Sequence, residues 1–192
     1  ITSSAQLNED QPRGFVEWLR HHGLDGVAVE NRPTPPFGPS KTPPTNGWTV
    51  GYIGRVRDMK AFDLLVQAVK TLPPHHRPKL RVAGDGTTAA KVRTMLMEEV
   101  ENGNLEAEVT GAFDHSELPE LLTEVDVMYA MYAPLRGNIL QGALPVKMFD
   151  AAAQGVPSVV NEDCLMADVA RTEAIGTGAP WGDAEAVGAA LY

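Results

Sequence analysis

The chain has 192 residues, of which 25 are acidic and 16 are basic, so it carries a net charge of −9 at pH 7. Such a chain is not built to neutralise nucleic-acid phosphates or to dock broadly on anionic lipid, and we expect no nucleic-acid partner. Its length suits one well-buried domain and is short for two.

The single cysteine, Cys164, excludes an intrachain disulfide and a cysteine-based zinc site. No spacing of His, Asp and Glu resembles a metal site, and no apolar run approaches the ~20 residues of a membrane span. A reducing cytosol fits this composition. Because the chain starts at Ile1 without a Met, we expect it to be part of a longer protein.

In chain order, residues 1–30 resemble the end of a preceding domain, with a helix predicted from Asn8 to His22 and a short strand from Val27 to Glu30. Residues 31–47 contain six of the 15 prolines and are predicted to be an extended linker. Residues 48–192 then form the main domain.

Strand and helix patterns alternate through residues 48–192. Strands are predicted over 48–54, 79–84, 106–110, 126–132 and 156–160, and helices over 61–72, 87–101, 115–123, 144–154, 163–171 and from Asp183. Alternation of this kind predicts an α/β fold, a Rossmann-like parallel sheet with helices on both faces.

Ligands of such sheets bind beyond the carboxyl ends of the strands. Gly54 and Arg55 follow the first strand, and Arg57 and Lys60 come directly after them. A glycine turn, a helix start and long cations are the components of an anion site. A solvated loop is the alternative, and spacing alone does not separate the two.

The turn Gly84-Asp85-Gly86 follows the second strand without the third glycine of a dinucleotide fingerprint, so a tight turn alone also explains it.

The long loop 133–143 suggests a functional connection. In the helix after it, Asp150 shares a stripe with Val146 and Ala153, where a carboxylate needs a partner. An ion pair with Lys147 is the alternative. His115 is expected to belong to a helix start.

Together, several segments resemble the C-terminal, donor-nucleotide-binding domain of GT-B glycosyltransferases of family 4, the glycosyl transferases group 1 type. The resemblance runs from about Thr49 to Leu191 and rests on these segments in register: Val50-Gly51-Tyr52-Ile53-Gly54-Arg55 with Lys60, Leu80-Arg81-Val82-Ala83-Gly84-Asp85-Gly86, Val109-Thr110-Gly111, Glu117-Leu118-Pro119-Glu120-Leu121-Leu122, Val125-Asp126-Val127, Leu144-Pro145-Val146-Lys147-Met148-Phe149-Asp150 and Ala153-Gln154-Gly155-Val156-Pro157.

The resemblance implies a nucleoside diphosphate-sugar donor, UDP- or GDP-linked, with no tightly bound cofactor or metal. In this family, residues equivalent to Arg55 and Lys60 bind the donor diphosphate and stabilise it as it leaves, which makes them the catalytic pair. The residue equivalent to Asp150 accepts hydrogen bonds from the ribose. The remaining donor-binding positions implied are Gly54, Gly84, Asp85, Gly86, Ala143, Leu144 and Lys147.

Members of the family often have a pair of glutamates at the positions that correspond to Gly142 and Asp150 here. The shorter carboxylate of Asp150 must lie closer to the ribose than a glutamate. Contacts to the sugar must come from loop groups such as Asn138 and Gln141.

The implied function is hexosyl transfer, retaining in stereochemistry, to an acceptor held by a missing N-terminal domain. The fragment alone is expected to bind donor without turnover, in the cytoplasm or at the inner membrane face through that missing domain. Two alternatives stay open. One is a sugar-nucleotide epimerase of GT-B architecture, with His115 as its candidate acid or base, and the other is a non-catalytic, degenerate partner subunit.

Overall fold

The computed structural model describes residues 15–27, 30–35, 37–39, 41–42, 44, 47–134, 139 and 142–192, without the side chains of Phe15 and Glu17. Its strands are β1 Thr49–Ile53, β2 Lys79–Ala83, β3 Glu106–Thr110, β4 Val127–Ala130, β5 Ser158–Asn161 and β6 Gly176–Ala179. Its helices are α1 Phe15–His21, α2 Met59–Thr71, α3 Ala89–Glu101, α4 Leu118–Thr123, α5 Val146–Ala153, α6 Leu165–Thr172 and α7 Ala184–Leu191. Short 3₁₀ turns lie at Pro74–His76 and His115–Glu117.

The six strands form one parallel sheet in the order β3-β2-β1-β4-β5-β6. This is the doubly wound order, in which each helix crosses over a face of the sheet and runs antiparallel to the strands. The predicted fold class is therefore confirmed.

Apolar side chains fill a layer on each face of the sheet. On one face, Phe62, Leu65, Val66 and Val69 of α2 are buried, as their helical spacing predicts. The other face holds a second cluster that includes Met148 and Phe149 of α5. Strands β1, β4 and β5 are buried almost throughout because both of their faces are covered.

The structure differs from the sequence predictions at two elements. Strand β6, with the sequence Gly-Thr-Gly-Ala, was not predicted, because two glycines give it neither β-propensity nor alternation. The strand predicted from Val27 to Glu30 does not form at either end residue, and residues 28 and 29 lie outside the described part.

The first helix is described from Phe15 to His21, and the earlier part of its predicted range lies outside the described residues. Its Val16 is only 2% exposed.

Several residues of segment 31–47 bond to the ends of helices. The Arg32 guanidinium pairs with Glu173 after α6 and lies 4.3 Å from the ring centre of Phe149. The Gly38 N–H donates to the carbonyl of Ala153 at the end of α5. Lys41 donates to carbonyls at the end of α4. These contacts bring the segment to the amino edge of the sheet, where the helices end.

Candidate functional site

The strand order reverses direction between β1 and β4. In a doubly wound sheet, the crevice for a ligand opens beyond the carboxyl ends of such a strand pair, because the two flanking helices cross over opposite faces. The fold therefore points to the segments after Ile53 and after Ala130.

A cavity of about 350 Å³ lies at this place. We call it the switch-point cavity, and it is lined by Ile53, Gly54, Arg55, Arg57, Phe113, His115, Leu118, Met128, Tyr132, Pro145, Val146, Lys147 and Asp150. Three cations and one carboxylate thus share a space whose other walls are mostly apolar. A volume of this order holds part of a nucleotide-sized ligand.

The loop after β1 is held in place by its backbone. The Gly54 N–H donates to the Ala83 carbonyl, and the Val56 N–H donates to the Asp85 carbonyl. The Tyr52 hydroxyl donates to the Arg55 carbonyl at 2.7 Å. The loop backbone is therefore set before any ligand arrives, while the Arg55 side chain is exposed.

Lys60 is exposed on the first turn of α2 and does not line the switch-point cavity. Its backbone N–H donates to the carboxylate of Asp58, which caps the helix. Asp58 therefore occupies one of the N–H groups at the start of this helix.

Gly84 allows the β2 turn to pass directly against the β1 turn. Its φ is +140°, and a Cβ added there would clash with the Gly54 carbonyl. Asp85 accepts a hydrogen bond from the Gly86 N–H at 2.7 Å. Gly84 and Asp85 line a separate cavity of about 250 Å³ beside the start of α3. This turn therefore supports the β1 loop from behind.

Lys147 enters the cavity from the first turn of α5. Its Nζ lies 3.5 Å from the ring centre of Tyr52 and 5.5 Å from that of Tyr132. Such cation–π contacts retain the positive charge while they hold the ammonium group in place. Tyr132 is fixed in turn by the buried Asn161, whose amide exchanges two 2.8 Å hydrogen bonds with the Tyr132 backbone.

Asp150 is half-buried, and burial raises the pKa of its carboxyl above the ordinary value, whereas the nearby His115 imidazolium acts to lower that pKa. Within the described part of the chain, Asp150 makes no ion pair or hydrogen bond through its side chain, so the alternative pairing with Lys147 does not form. A carboxylate placed in this way is ready to accept hydrogen bonds from a ligand.

Ala143 and Leu144 lead into α5, and Leu144 is buried in the core rather than in the cavity wall. Gly142 has a φ of +85°, which a glutamate rarely adopts, so the loop here has a conformation suited to glycine. Asn138 and Gln141 lie outside the described residues.

The sequence predicted neither Phe113 nor Tyr132 as a site residue, named Arg57 only as part of the cationic loop, and named His115 only as the acid or base of the epimerase alternative. Tyr132 could have been found from its position directly after β4. Phe113 and His115 come from the segment after β3, and β3 is not a neighbour of β4 in the sheet.

The described residues contain no group of His, Cys, Asp and Glu side chains arranged to hold a metal ion. No helix among them combines the length and the apolar composition needed to cross a bilayer.

Three solved structures illustrate the similarity of fold. The catalytic domain of cholesterol-alpha-glucosyltransferase from Helicobacter pylori matches with a TM-score of 0.57 and 17% identity, over 76% of this chain and 84% of that one. The Anabaena protein HepE in complex with UDP-glucose matches with a TM-score of 0.57 and 17% identity, over 76% and 38%. Sucrose-phosphate synthase from Thermosynechococcus elongatus matches with a TM-score of 0.58 and 21% identity, over 77% and 36%.

The chain thus spans well under half the length of two of these relatives. No curated protein sequence matches it. The sequence profile of the family described as glycosyl transferases group 1 matches residues 47–192, which is most of the chain and includes every residue that lines the switch-point cavity. The chain therefore belongs to the glycosyl transferases group 1 family.

Proposed function

We propose that this chain is the donor-binding part of a glycosyltransferase that transfers a hexose from a nucleoside diphosphate-sugar. The observation that carries the proposal is the switch-point cavity, where Arg55 and Arg57, which have no ion-pair partner among the described residues, share the lining with the half-buried carboxylate of Asp150.

Arg55 and Lys60 bind the diphosphate from the loop after β1 and from the first turn of α2. Bond cleavage leaves negative charge on the departing nucleoside diphosphate, and preorganised cations stabilise that charge in the transition state. The hydrogen-bonded backbone around Arg55 supports this role, because little reorganisation is needed there.

Asp150 accepts hydrogen bonds from the ribose hydroxyls, and its lack of a described protein partner supports this role. Gly84, Asp85 and Gly86 border the base and ribose, and Asn138 and Gln141 supply contacts to the sugar. Gly54 and Ala143, with Leu144 and Lys147, complete the donor site.

The names of the structural relatives support a hexose donor and make UDP the first nucleotide to test, since one is a glucosyltransferase and another has UDP-glucose bound. We further propose that transfer retains stereochemistry and that a separate N-terminal domain holds the acceptor and associates with the inner membrane face. The small share of the relatives' length that this chain spans supports a further domain.

Calorimetric titration of the chain with UDP, GDP and ADP tests the proposal. We expect saturable binding of one nucleotide, weakened ~10- to 100-fold in Arg55→Ala because a charge-assisted hydrogen bond is lost. Lys91→Ala is the matched control, since Lys91 is an exposed cation on α3 that does not line the cavity. A folded chain that binds none of the three nucleotides would contradict the proposal.

An epimerase acting on a sugar nucleotide is the second candidate, because His115 and Asp150 line the same cavity and both can exchange protons. Incubating the full-length protein with UDP-glucose distinguishes the two. An epimerase converts the donor to its epimer without an acceptor, whereas a transferase releases UDP only with transfer or slow hydrolysis.

The remaining alternative is a degenerate, non-catalytic partner subunit. Nucleotide binding that disappears in Arg55→Ala would exclude it.

A further inference from the structure

The arginines of this chain differ in whether their side chains have partners. Most of the described arginines donate to carboxylates or to backbone carbonyls, namely Arg32 to Glu30 and Glu173, Arg77 to Lys70, Leu72 and Asn104, Arg81 to Glu124, Arg93 to Val109, and Arg171 to Glu162. Arg20 also has an interaction. Of the arginines that the structure describes, Arg55 and Arg57 are the two whose side chains have no such partner.

These two arginines line the same cavity. In a chain with 25 acidic residues, carboxylates are common enough to pair with most surface arginines. Two arginines, one residue apart, that line one cavity without an ion-pair partner among the described residues are therefore a local feature, not a general property of the surface.

The backbone on both sides of Arg57 is fixed. Val56 is buried at 1% exposure, and its carbonyl accepts a hydrogen bond from the Thr88 N–H. On the other side, Asp58 caps α2 by accepting from the Lys60 N–H, and it forms no ion pair with Arg57. The neighbouring carboxylate thus serves the helix and leaves the Arg57 guanidinium available.

Helix direction explains why no protein group satisfies this guanidinium. Helices of a parallel α/β fold begin at the carboxyl edge of the sheet, so N–H groups gather there and free carbonyls do not. Helix starts and guanidinium groups both favour a negative partner. With Arg55, Arg57 and Lys147 against an ionised Asp150, and with His115 left out of the count, the side chains that line the cavity have a surplus of two positive charges.

We propose that Arg57 is a second diphosphate-binding arginine that acts beside Arg55 on the same wall of the switch-point cavity. This inference rests on the proposed function and deepens it, because it adds to the proposed donor site a residue that has no role in the function proposed above. The ligand group that Arg57 recognises is the pair of linked phosphates, not the base or the sugar.

The test compares a nucleoside diphosphate with its monophosphate. The probe is whichever of UDP, GDP and ADP binds the unaltered chain most tightly, together with the matching monophosphate, titrated into the unaltered chain and into Arg57→Ala. We expect Arg57→Ala to weaken diphosphate binding ~10-fold and monophosphate binding much less, since one charge-assisted contact to the second phosphate is lost. Arg57→Lys, which keeps the charge without the forked donor, is expected to recover part of the loss.

Lys91→Ala controls for net charge, because it removes one exposed positive charge outside the cavity. Circular dichroism and thermal unfolding of each variant confirm that the fold is retained. If Arg57→Ala binds the diphosphate within ~2-fold of the unaltered chain while Arg55→Ala does not, the inference is overturned and the proposed function stands. If the unaltered chain binds no diphosphate, the proposed function fails and the inference fails with it.

Discussion

The two edges of the sheet each border a cavity with charged side chains, but they use those charges differently. At the amino edge, a cavity of about 660 Å³ is lined by Lys41, Arg77 and Asp126 together with Trp48 and Tyr192. At the carboxyl edge, the switch-point cavity has about half that volume.

The charged groups at the amino edge bond to the protein itself. Lys41 donates to the carbonyls of Leu122, Thr123 and Val125 at the end of α4. Arg77 donates to the carbonyls of Lys70, Leu72 and Asn104, two of them at the end of α2. Asp126 accepts from the Thr49 N–H. These cations therefore cap helix C-termini and stabilise the fold.

The carboxyl edge has the reverse arrangement, because helices begin there and expose N–H groups instead of carbonyls. Arg55 and Arg57 have no ion-pair partner among the described residues, and neither does Asp150. The bonding state of the charged groups, more than cavity volume, therefore separates the proposed ligand site from the structural cavity at the amino edge.

The largest expected effect is a loss of stability when a cation at the amino edge is replaced. Arg77→Met leaves three backbone carbonyls without their donor, and we expect the free energy of unfolding to fall by about 2–4 kcal/mol. Nucleotide affinity should stay within ~2-fold, because Arg77 lies at the opposite edge. Chemical denaturation and calorimetric titration of the same preparation measure both quantities.

Lys91→Met is the matched control for Arg77→Met, since it replaces an exposed cation that has no described partner. It should change the free energy of unfolding by less than about 0.5 kcal/mol. Loss of nucleotide affinity in a folded Arg77→Met variant would show that the two edges are coupled and would contradict the assignment of a purely structural role to the amino edge.

An intermediate effect is expected at Asp150, where nucleotide binding should weaken without a loss of stability. Asp150→Asn removes the ionised carboxylate that we propose accepts hydrogen bonds from the ribose, so nucleotide affinity should fall ~10-fold. The free energy of unfolding should stay the same or rise by at most about 0.5 kcal/mol, because a half-buried charge is removed. A variant that loses stability along with affinity would indicate a structural role for this carboxylate.

The smallest expected effect is the pH dependence of the difference in unfolding free energy between Asp150→Asn and the unaltered chain. Burial raises the pKa of Asp150 in the folded chain, so the folded state binds this proton more tightly than the unfolded state does. The resulting stability is fully present below the unfolded pKa and is lost as pH rises through the folded pKa. The free energy of unfolding of Asp150→Asn should therefore rise relative to that of the unaltered chain as pH rises from the unfolded pKa of Asp150 through its folded pKa.

Urea denaturation of both proteins at a series of pH values from about 3.5 to 7 measures this difference. Replacing His115 with Ala should enlarge it, because the imidazolium no longer favours the ionised carboxylate. A stability difference that does not change across this pH range would mean that Asp150 is not perturbed by burial.

The sequence predicted most of the fold because its signals are local. The apolar spacing of Phe62, Leu65 and Val69 requires no knowledge of the neighbours of α2, and this helix lies within two residues of its predicted bounds. Strand β6 was missed because its two glycines carry no such signal. It forms through pairing with β5, from Gly176 beside Ser158 to Ala179 beside Asn161.

For the site, the chemical groups could be read from the sequence: a glycine turn with cations after β1, a long loop after β4, and a carboxylate on the helix that follows. Which of these groups line the same cavity depends on tertiary contacts. Strand order brings the ends of β1 and β4 together, Lys60 on the first turn of α2 lies outside the cavity lining, and the segment after β3 adds His115. Spacing along a chain cannot encode these choices, since they depend on which strands become neighbours and which way each helix runs.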